Sequence, residues 1–280
     1  MKLIKRLVVK FQSDGIKKVI EDTAKLIRKI YIKPAKNNII HHLLYGKAKP
    51  DPLALIHIKP TDVNYILANH FWHDLSKYTT HVVSGEWDQP LRDINLTVSL
   101  RTTGTSQRGI VKIDQLTLCQ SIEERVQNNT PWEETELYAE VASDPEQFGG
   151  WKRYNSIDNL EKTLADIDNL ISHMDSYGYK RQDEIKENST GLRYSDLRLH
   201  EVAINIGRNG KIIFEDGRHR FCVARALGVE QIPVRVFVRH KDWQQKRQQM
   251  LTFGSIKEVD NELKKYLVHP DMQDVRPNNP

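Results

Sequence analysis

The stretch of residues 200–238 constrains the fold more than any other part of this chain, because strand and helix patterns alternate there with turn signals between them. A first strand is predicted by apolar residues at every second position: Val202, Ile204 and Ile206. The dipeptide Asn209-Gly210 is a strong hairpin signal and predicts a second strand over 211–215. A glycine turn then leads into a predicted helix over 218–227, and a third alternating strand follows at 232–238.

Further helices and strands are predicted upstream of this stretch. Short strands are expected at 53–58 and near Val82, and a helix is expected over 114–128. Residues 130–141 are predicted to form a helix, because threonine, proline and glutamate stand at its capping, first and third positions. Apolar residues spaced three and four apart predict a long helix over 157–177, which ends at a glycine.

The order of these elements predicts an α/β (α+β) protein with a mixed N-terminal region and a small α/β domain. The predicted divisions are a basic amphipathic leader (1–50), a mixed α/β N-terminal region (51–150), a linking helix (151–177), the small domain (178–240) and a helical tail (241–280). Prolines punctuate the chain from Pro34 to Pro60, where only the strand at 53–58 is predicted.

The composition is that of a soluble globular protein, with 39% hydrophobic and 28% charged residues. No run approaches the roughly 20 apolar residues needed to span a bilayer. Lys10 also interrupts the apolar run after the basic start too early for a signal peptide. A cytoplasmic protein is therefore expected. Cys119 and Cys222 form no metal-ligand spacing and are too few for a disulfide framework, so two small buried side chains are expected.

The net charge of +5 conceals an uneven distribution. Residues 1–50 contain thirteen Lys and Arg against three acidic residues, a net charge of +10, which leaves −5 for the remainder. A predicted amphipathic helix near 13–31 carries much of this charge. The pattern favours contact with a polyanion or with an anionic membrane surface. A helix docked on the protein body, with a solvated basic face, explains it equally well.

The turn into the helix at 218–227 has the composition of an anion site. Gly217 permits a sharp turn, and the first backbone N–H groups of a helix have no partner within it, so they and the helix dipole favour a negative charge. Arg218, His219 and Arg220 add basic donors, which oppose the helix dipole unless an anion is bound. These four residues are therefore predicted to bind phosphate. In the alternative without a ligand, the preceding Asp216 caps the helix and the arginines pair with acidic residues elsewhere.

The region from 179 to 239 resembles the ParB/sulfiredoxin superfamily. Its members share a strand, a turn with the sequence Gly-x-[His/Arg]-Arg, a short alanine-containing helix and an Ile-Pro-Val strand. Gly217, His219 and Arg220 match that turn, and Ile-Pro-Val follows at 232–234. The resemblance implies a ParB/sulfiredoxin-like domain whose turn binds nucleotide phosphates. The nucleotide is CTP in partition proteins, and ATP with magnesium in sulfiredoxin and the related free-serine kinases.

The chain also departs from the patterns of this superfamily. Arg218 stands where sulfiredoxins have their reactive cysteine, so reduction of a sulfinic acid is not expected. Cys222 stands where partition proteins have a further arginine, and only Gln182 is retained from their Gln-Pro-Arg box, which makes it a candidate nucleotide-binding residue. About forty residues follow the Ile-Pro-Val strand, too few for the DNA-reading domain of partition proteins.

Phosphoryl transfer requires carboxylates close to the phosphate, as metal ligands or as a base. Glu215 and Asp216 adjoin the turn, and Glu184 is expected across from it. These three are the candidate catalytic residues, with Asp216 as the candidate magnesium ligand. The alternative for Asp216 is a role in forming the turn.

Two other groups of residues were considered as sites. His70 and His73 have a spacing that suits zinc on a helix, but no further ligand is identifiable in the sequence. Trp87 and Trp132 each stand among acidic residues, where they are predicted either to be buried anchors or to stack on a sugar or base.

The leading hypothesis is a nucleotide-dependent enzyme, either an NTPase or a kinase-like phosphotransferase. It would use a nucleoside triphosphate (ATP or CTP) with magnesium and a small-molecule acceptor. The alternatives are a non-catalytic ParB-like protein that binds DNA and a peripheral membrane accessory protein that uses residues 13–31.

Overall fold

A computed structural model of the chain describes residues 21, 22, 24, 32–76, 78–91, 108–145, 153–185 and 199–278. Within these residues seven strands form one mixed sheet in the order β1-β7-β5-β6-β2-β4, with β3 also paired to β7. The strands are β1 (Leu55–Ile58), β2 (Tyr65–Leu67), β3 (His81–Val83), β4 (Ile110–Lys112), β5 (Val202–Ile206), β6 (Ile212–Asp216) and β7 (Ile232–His240). The sheet thus combines strands from residues 55–112 with strands from residues 202–240.

The predicted hairpin is confirmed at the centre of the sheet. β5 and β6 are antiparallel with Ile206 opposite Ile212, and Gly210 has a positive φ of 79° in the turn between them. β7 runs parallel to β5, and β2 runs parallel to β6. β1 is antiparallel to β7, and β4 is antiparallel to β2. The carboxyl ends of β2 and β6 therefore lie at the same edge of the sheet.

Eight α-helices accompany the sheet within the described residues. They are α1 (Lys33–Tyr45), α2 (Thr117–Asn128), α3 (Glu136–Ser143), α4 (Ile157–Tyr177), α5 (Gln182–Ile185), α6 (Arg218–Ala226), α7 (Lys241–Met250) and α8 (Asn261–Lys264). The long helix α4 is confirmed with its end at Gly178. The predicted helix 13–31 lies outside the described residues apart from positions 21, 22 and 24.

The helices differ from the sequence predictions at two proline-containing segments. α1 begins in the proline-rich stretch, where no helix was predicted. Pro34 is compatible with it because this residue lies in the first turn, where a missing N–H breaks no helical hydrogen bond. The prediction that Thr130 caps a helix was wrong. Residues Trp132–Glu134 form a 3-10 turn instead, and Thr135 caps α3 by accepting a hydrogen bond from the Tyr138 N–H.

The core lies on both faces of the sheet. Alternate residues of β5 and β6 face α2, α4 and α6 on one side, where Ile204, Phe214 and Phe221 are buried. On the other side Ile213 and Phe237 pack with the buried Trp87. All five residues of β5 are consequently buried, because helices or loops cover both faces of the strand.

A disulfide joins Cys119 of α2 to Cys222 of α6. Both side chains are buried, as expected. Their pairing was not predicted, and it arises because the packing of α2 on α6 brings the two Cα atoms to 5.0 Å. The bond links residues 103 positions apart in the chain.

The fold class is mixed α and β, as predicted. The described helices include none with both the length and the apolar character needed to cross a membrane. The division into five sequence segments stays a prediction.

Candidate functional site

The turn between β6 and α6 depends on glycine. Gly217 has φ 93°, and a Cβ atom at this position would lie 3.1 Å from the Val202 Cα of β5. Its N–H donates to Asp216 Oδ1 at 2.8 Å. Only glycine combines this backbone conformation with such a close approach to the neighbouring strand. The sharp entry into α6 therefore follows directly from the residue type.

A cavity of about 500 Å³ lies against the first turn of α6. The N-cap residue of this helix is Gly217, which has no side chain that could cap it. The cavity is lined by Trp72, Leu118, Arg153, Tyr154, Asp166, Ile167, Leu170, Asp216, Gly217, Arg218, His219 and Arg220. Three guanidinium groups and two carboxylates thus surround a space with an aliphatic wall. The five residues from Asp216 to Arg220, singled out from the sequence, all belong to this lining.

Arg218 is held in place by a histidine from a distant part of the chain. Its Nη2 donates to His70 Nε2 at 3.0 Å. Because a guanidinium only donates, the His70 proton lies on Nδ1, which faces Glu215 Oε2 at 3.7 Å. Burial lowers the pKa of Arg218 to about 10, so its positive charge is retained at neutral pH. Burial also lowers the pKa of His70, which favours the neutral ring.

Glu215 is almost fully buried and is not among the residues that line the cavity. Its Oε1 accepts from the Trp72 backbone N–H at 3.1 Å, and its Oε2 accepts from Asn205 Nδ2. Asn205 in turn accepts from the Val238 N–H of β7. The carboxylate therefore connects the centre of the sheet to His70 and, through it, to Arg218. These contacts hold Glu215 in place, and its candidate catalytic role stays a prediction.

His219 differs from the cationic donor expected from the sequence. Burial, together with the charges of Arg153 and Arg218, lowers the pKa of His219 to about 4. The imidazole is therefore neutral at neutral pH in the ligand-free protein. Its Nε2 shares a hydrogen bond of 2.5 Å with the hydroxyl of Tyr154, whose pKa burial raises above its usual range. This side of the cavity thus presents two neutral polar groups.

Arg220 is largely engaged inside the protein. Its Nη2 donates to Glu201 Oε2 and to the Lys180 carbonyl, each at 2.9 Å, and the guanidinium lies 4.6 Å from the Tyr179 ring centroid. The alternative in which an arginine pairs with an internal carboxylate therefore holds for this residue. Arg220 secures the chain around Tyr179 to α6 and also lines the cavity.

Gln182 and Glu184, the other candidates from the sequence, lie on the short helix α5 and are not among the cavity-lining residues. The Gln182 backbone N–H donates to Glu201 Oε1. The Glu184 side chain is exposed and pairs with Arg181 at 3.2 Å. The structure therefore does not bring either side chain to the first turn of α6, and their proposed roles stay predictions.

No group of three or more His, Cys, Asp or Glu side chains suitable for a metal ion is found among the described residues. This includes the surroundings of His70, whose ring contacts Arg218 and Glu215 instead. Asp216, the predicted magnesium ligand, lies at the cavity and is exposed. Magnesium that accompanies a nucleotide often takes only one or two protein carboxylates, with phosphates and water as its other ligands. The role of Asp216 therefore stays a prediction.

Several residues that line the cavity were not predicted from the sequence. Trp72 follows β2 and reaches the cavity because β2 runs parallel to β6, so the segments after the two strands meet at one edge of the sheet. Arg153 and Tyr154 come from the turn before α4, and Asp166 comes from the middle of that helix, which packs beside α6. The sequence holds no local signal for these contacts. Trp87 and Trp132, which the sequence did highlight, are buried anchors.

Comparisons of the chain with protein-family models, with curated proteins and with solved structures gave no match.

Proposed function

We propose that the cavity in front of α6 binds a nucleoside triphosphate and that the protein is a nucleotide-dependent enzyme, an NTPase or a small-molecule phosphotransferase. One observation carries this proposal. The glycine turn at 217 leads into a helix whose first turn faces a cavity of about 500 Å³, with Arg153 and Arg218 on the cavity wall. The volume falls in the range of small-molecule sites.

The phosphate end of the ligand belongs at the first turn of α6. Backbone N–H groups at a helix start bind phosphate oxygens, and guanidinium groups add paired hydrogen bonds. Arg218 is already oriented by His70 and Glu215, so less side-chain freedom is lost when an anion binds. The Gly-x-His-Arg sequence of this turn is also what makes the region 179–239 resemble the ParB/sulfiredoxin superfamily.

The remainder of the cavity suits a nucleoside. Trp72 is partly exposed at the lining, and its ring offers a surface for stacking a base. Leu118, Ile167 and Leu170 supply an aliphatic wall. Most small-molecule sites combine such an apolar lining with a few fixed polar groups. The acceptor substrate would enter from the same open space.

Two carboxylates serve the chemical step in this proposal. Asp216 adjoins the phosphate-binding turn, and Asp166 lies on the same cavity wall with its Oδ2 3.9 Å from Arg153 Nη1. Either is suited to bind magnesium together with the phosphates, or to accept a proton from the attacking hydroxyl group. Asp166 replaces Glu184 as the second carboxylate, because Glu184 pairs with Arg181 away from the cavity.

Nucleotide titrations test the binding proposal. Calorimetry with ATP, CTP, GTP and UTP in the presence of magnesium is expected to detect one or more ligands. Arg218→Gln is expected to weaken binding about 10- to 100-fold, because a hydrogen bond to a charged group is lost. Arg153→Gln provides a second variant at a more exposed position, where loss of folding is not expected. Release of phosphate with and without an acceptor then tests catalysis.

Arg276→Gln is the matched control, because it removes an exposed arginine that does not line the cavity. Its affinity is expected to equal that of the unmodified chain. Equal binding by all three variants, or no binding of any nucleotide, would contradict the proposal. Binding of double-stranded DNA that falls steeply with salt would instead favour the non-catalytic alternative.

A further inference from the structure

Helix α1 exposes an unusual number of large aliphatic side chains. Leu43 is 78% exposed and Ile39 is 64% exposed. The exposed set on and just before the helix is Ile32, Ile39, Ile40, Leu43 and Leu44. Their spacing of three, four and seven residues places them on one side of the helix. Soluble proteins rarely leave such a continuous apolar face open, and its presence indicates a binding surface.

The other side of α1 contacts the body of the protein. His41 is buried, and the Leu44 carbonyl accepts from Gln248 Nε2 of α7 at 2.9 Å. Just beyond the helix, the buried Ala48 presents its carbonyl to Gln244 Nε2 at 2.7 Å. α7 therefore anchors the carboxyl-terminal end of α1, while the aliphatic face points away from these contacts.

The charged residues on α1 and in the turn after it all have one sign. No Asp or Glu occurs between residues 32 and 50, where there are four Lys. Lys36 lies on the helix among the aliphatic residues, and Lys47 follows it, both exposed. A long lysine side chain can lay its methylene groups along an apolar surface while its ammonium group reaches outward. The face is thus both apolar and basic.

This combination favours an anionic lipid surface over a second copy of the chain or a nucleic acid as the binding partner. A second copy of the chain would bring two basic faces together, and the resulting repulsion opposes a symmetric pair. Nucleic acid offers phosphates for the lysines but no apolar layer for five aliphatic side chains. A bilayer with acidic headgroups supplies both, since an amphipathic helix buries its apolar face at the boundary of headgroups and acyl chains.

We propose that α1 docks this protein on the surface of membranes that contain acidic lipids, with Ile32, Ile39, Ile40, Leu43 and Leu44 inserted and the nearby lysines at the headgroups. The helix is about 20 Å long. Its exposed aliphatic side chains lie along one side, so their insertion places the helix axis in the plane of the surface. The proposal is independent of nucleotide binding in the cavity, because none of these residues lines it.

Vesicle co-sedimentation with the full chain tests this proposal. The chain is expected to bind vesicles of phosphatidylcholine with phosphatidylserine, and not vesicles of phosphatidylcholine alone. The double variant Ile39→Gln with Leu43→Gln keeps the charge and removes two inserted side chains. This variant is expected to bind the vesicles at least about tenfold more weakly, since each inserted aliphatic side chain contributes strongly to the free energy of membrane binding.

The matched control is Leu251→Gln with Val268→Gln, which removes two exposed aliphatic residues elsewhere. This control is expected to bind as the unmodified chain does. Equal binding by both double variants would overturn the proposal, because charge elsewhere would then suffice. Absence of vesicle binding would overturn it as well. A dimer that the Ile39 and Leu43 variant converts to a monomer, without vesicle binding, would assign the face to a second copy.

Discussion

Arg218 owes its position to His70, which is far from it in the chain. His70 accepts its hydrogen bond, and Glu215 faces the other nitrogen of that ring while accepting from Asn205. The local sequence predicts that Arg218 binds phosphate, but it gives no indication of this support. The sequence also makes Glu215 a catalytic candidate, and the structure shows that this carboxylate contacts the Trp72 backbone and Asn205.

His219 provides a test at this scale through the dependence of stability on pH. Its pKa in the folded chain, about 4, lies below the usual 6.5, so between these values the unfolded chain binds a proton that the folded chain does not. The stability contributed by the neutral ring is therefore complete above pH 6.5 and falls as the pH decreases towards 4. The loss is expected to reach about 1–2 kcal/mol by pH 5.

Urea unfolding at pH 7 and pH 5 measures this effect. The decrease in the free energy of unfolding is expected to be smaller in His219→Gln than in the unmodified chain. Other buried histidines contribute equally to both proteins, so the difference isolates His219. His173→Gln, on the exposed side of α4, serves as the control and is expected to retain the full decrease. An unchanged decrease in His219→Gln would contradict the assignment of a neutral buried ring.

Helix α6 becomes a site through the elements that meet at its first turn. β6 delivers the chain to Gly217, and the parallel strand β2 ends beside it, so that Trp72 joins the same edge. The other side is closed by Tyr154, just before α4, and by Asp166 in the middle of that helix. Ligands of sheets with parallel strands commonly bind beyond the carboxyl ends of the strands. The position of the cavity follows this rule.

The glycine turn can be tested by adding a single methyl group. Gly217→Ala is expected to lower the free energy of unfolding by more than 2 kcal/mol, because the new Cβ adds a close contact at 3.1 Å to the left-handed backbone. Gly228→Ala, at the other end of α6, has φ 65° and open space around its Cβ. It is expected to cost about 1–2 kcal/mol from backbone conformation alone. Equal costs in urea unfolding would exclude a role for the contact with β5.

At the scale of the whole molecule, one sheet unites strands that are far apart in sequence, and the disulfide between α2 and α6 adds a covalent link on its helical side. Leu118 precedes Cys119 and lines the cavity, and Arg220 lies two positions before Cys222. The disulfide therefore connects two walls of the candidate site. Loss of the disulfide is therefore expected to affect both the stability of the fold and the shape of the cavity.

Reduction of this disulfide is expected to lower the free energy of unfolding by about 2–4 kcal/mol, because the unfolded chain gains the freedom of a long loop. Urea unfolding with and without a reductant measures the change. The double variant Cys119→Ala with Cys222→Ala is expected to start from the lower stability and to show no further response to reductant. A response in that variant, or none in the unmodified chain, would contradict the link.

The sequence by itself determined the elements whose causes are local. The hairpin at Asn209-Gly210, the glycine that starts α6 and the long helix α4 follow from turn chemistry and from the spacing of apolar residues, which act within a few positions. Pro34 shows a limit of such signals, since proline interrupts a helix interior but is accepted in a first turn.

Only the tertiary structure decided which side chains line the cavity and which of them are charged at neutral pH. Strand pairing brought Trp72 to the turn, and helix packing brought Asp166 there and Cys119 to Cys222. Burial and neighbouring guanidinium groups made His219 neutral, while Glu201 engaged Arg220. These outcomes depend on distances between residues that are remote in the chain, and the packing of the core sets those distances.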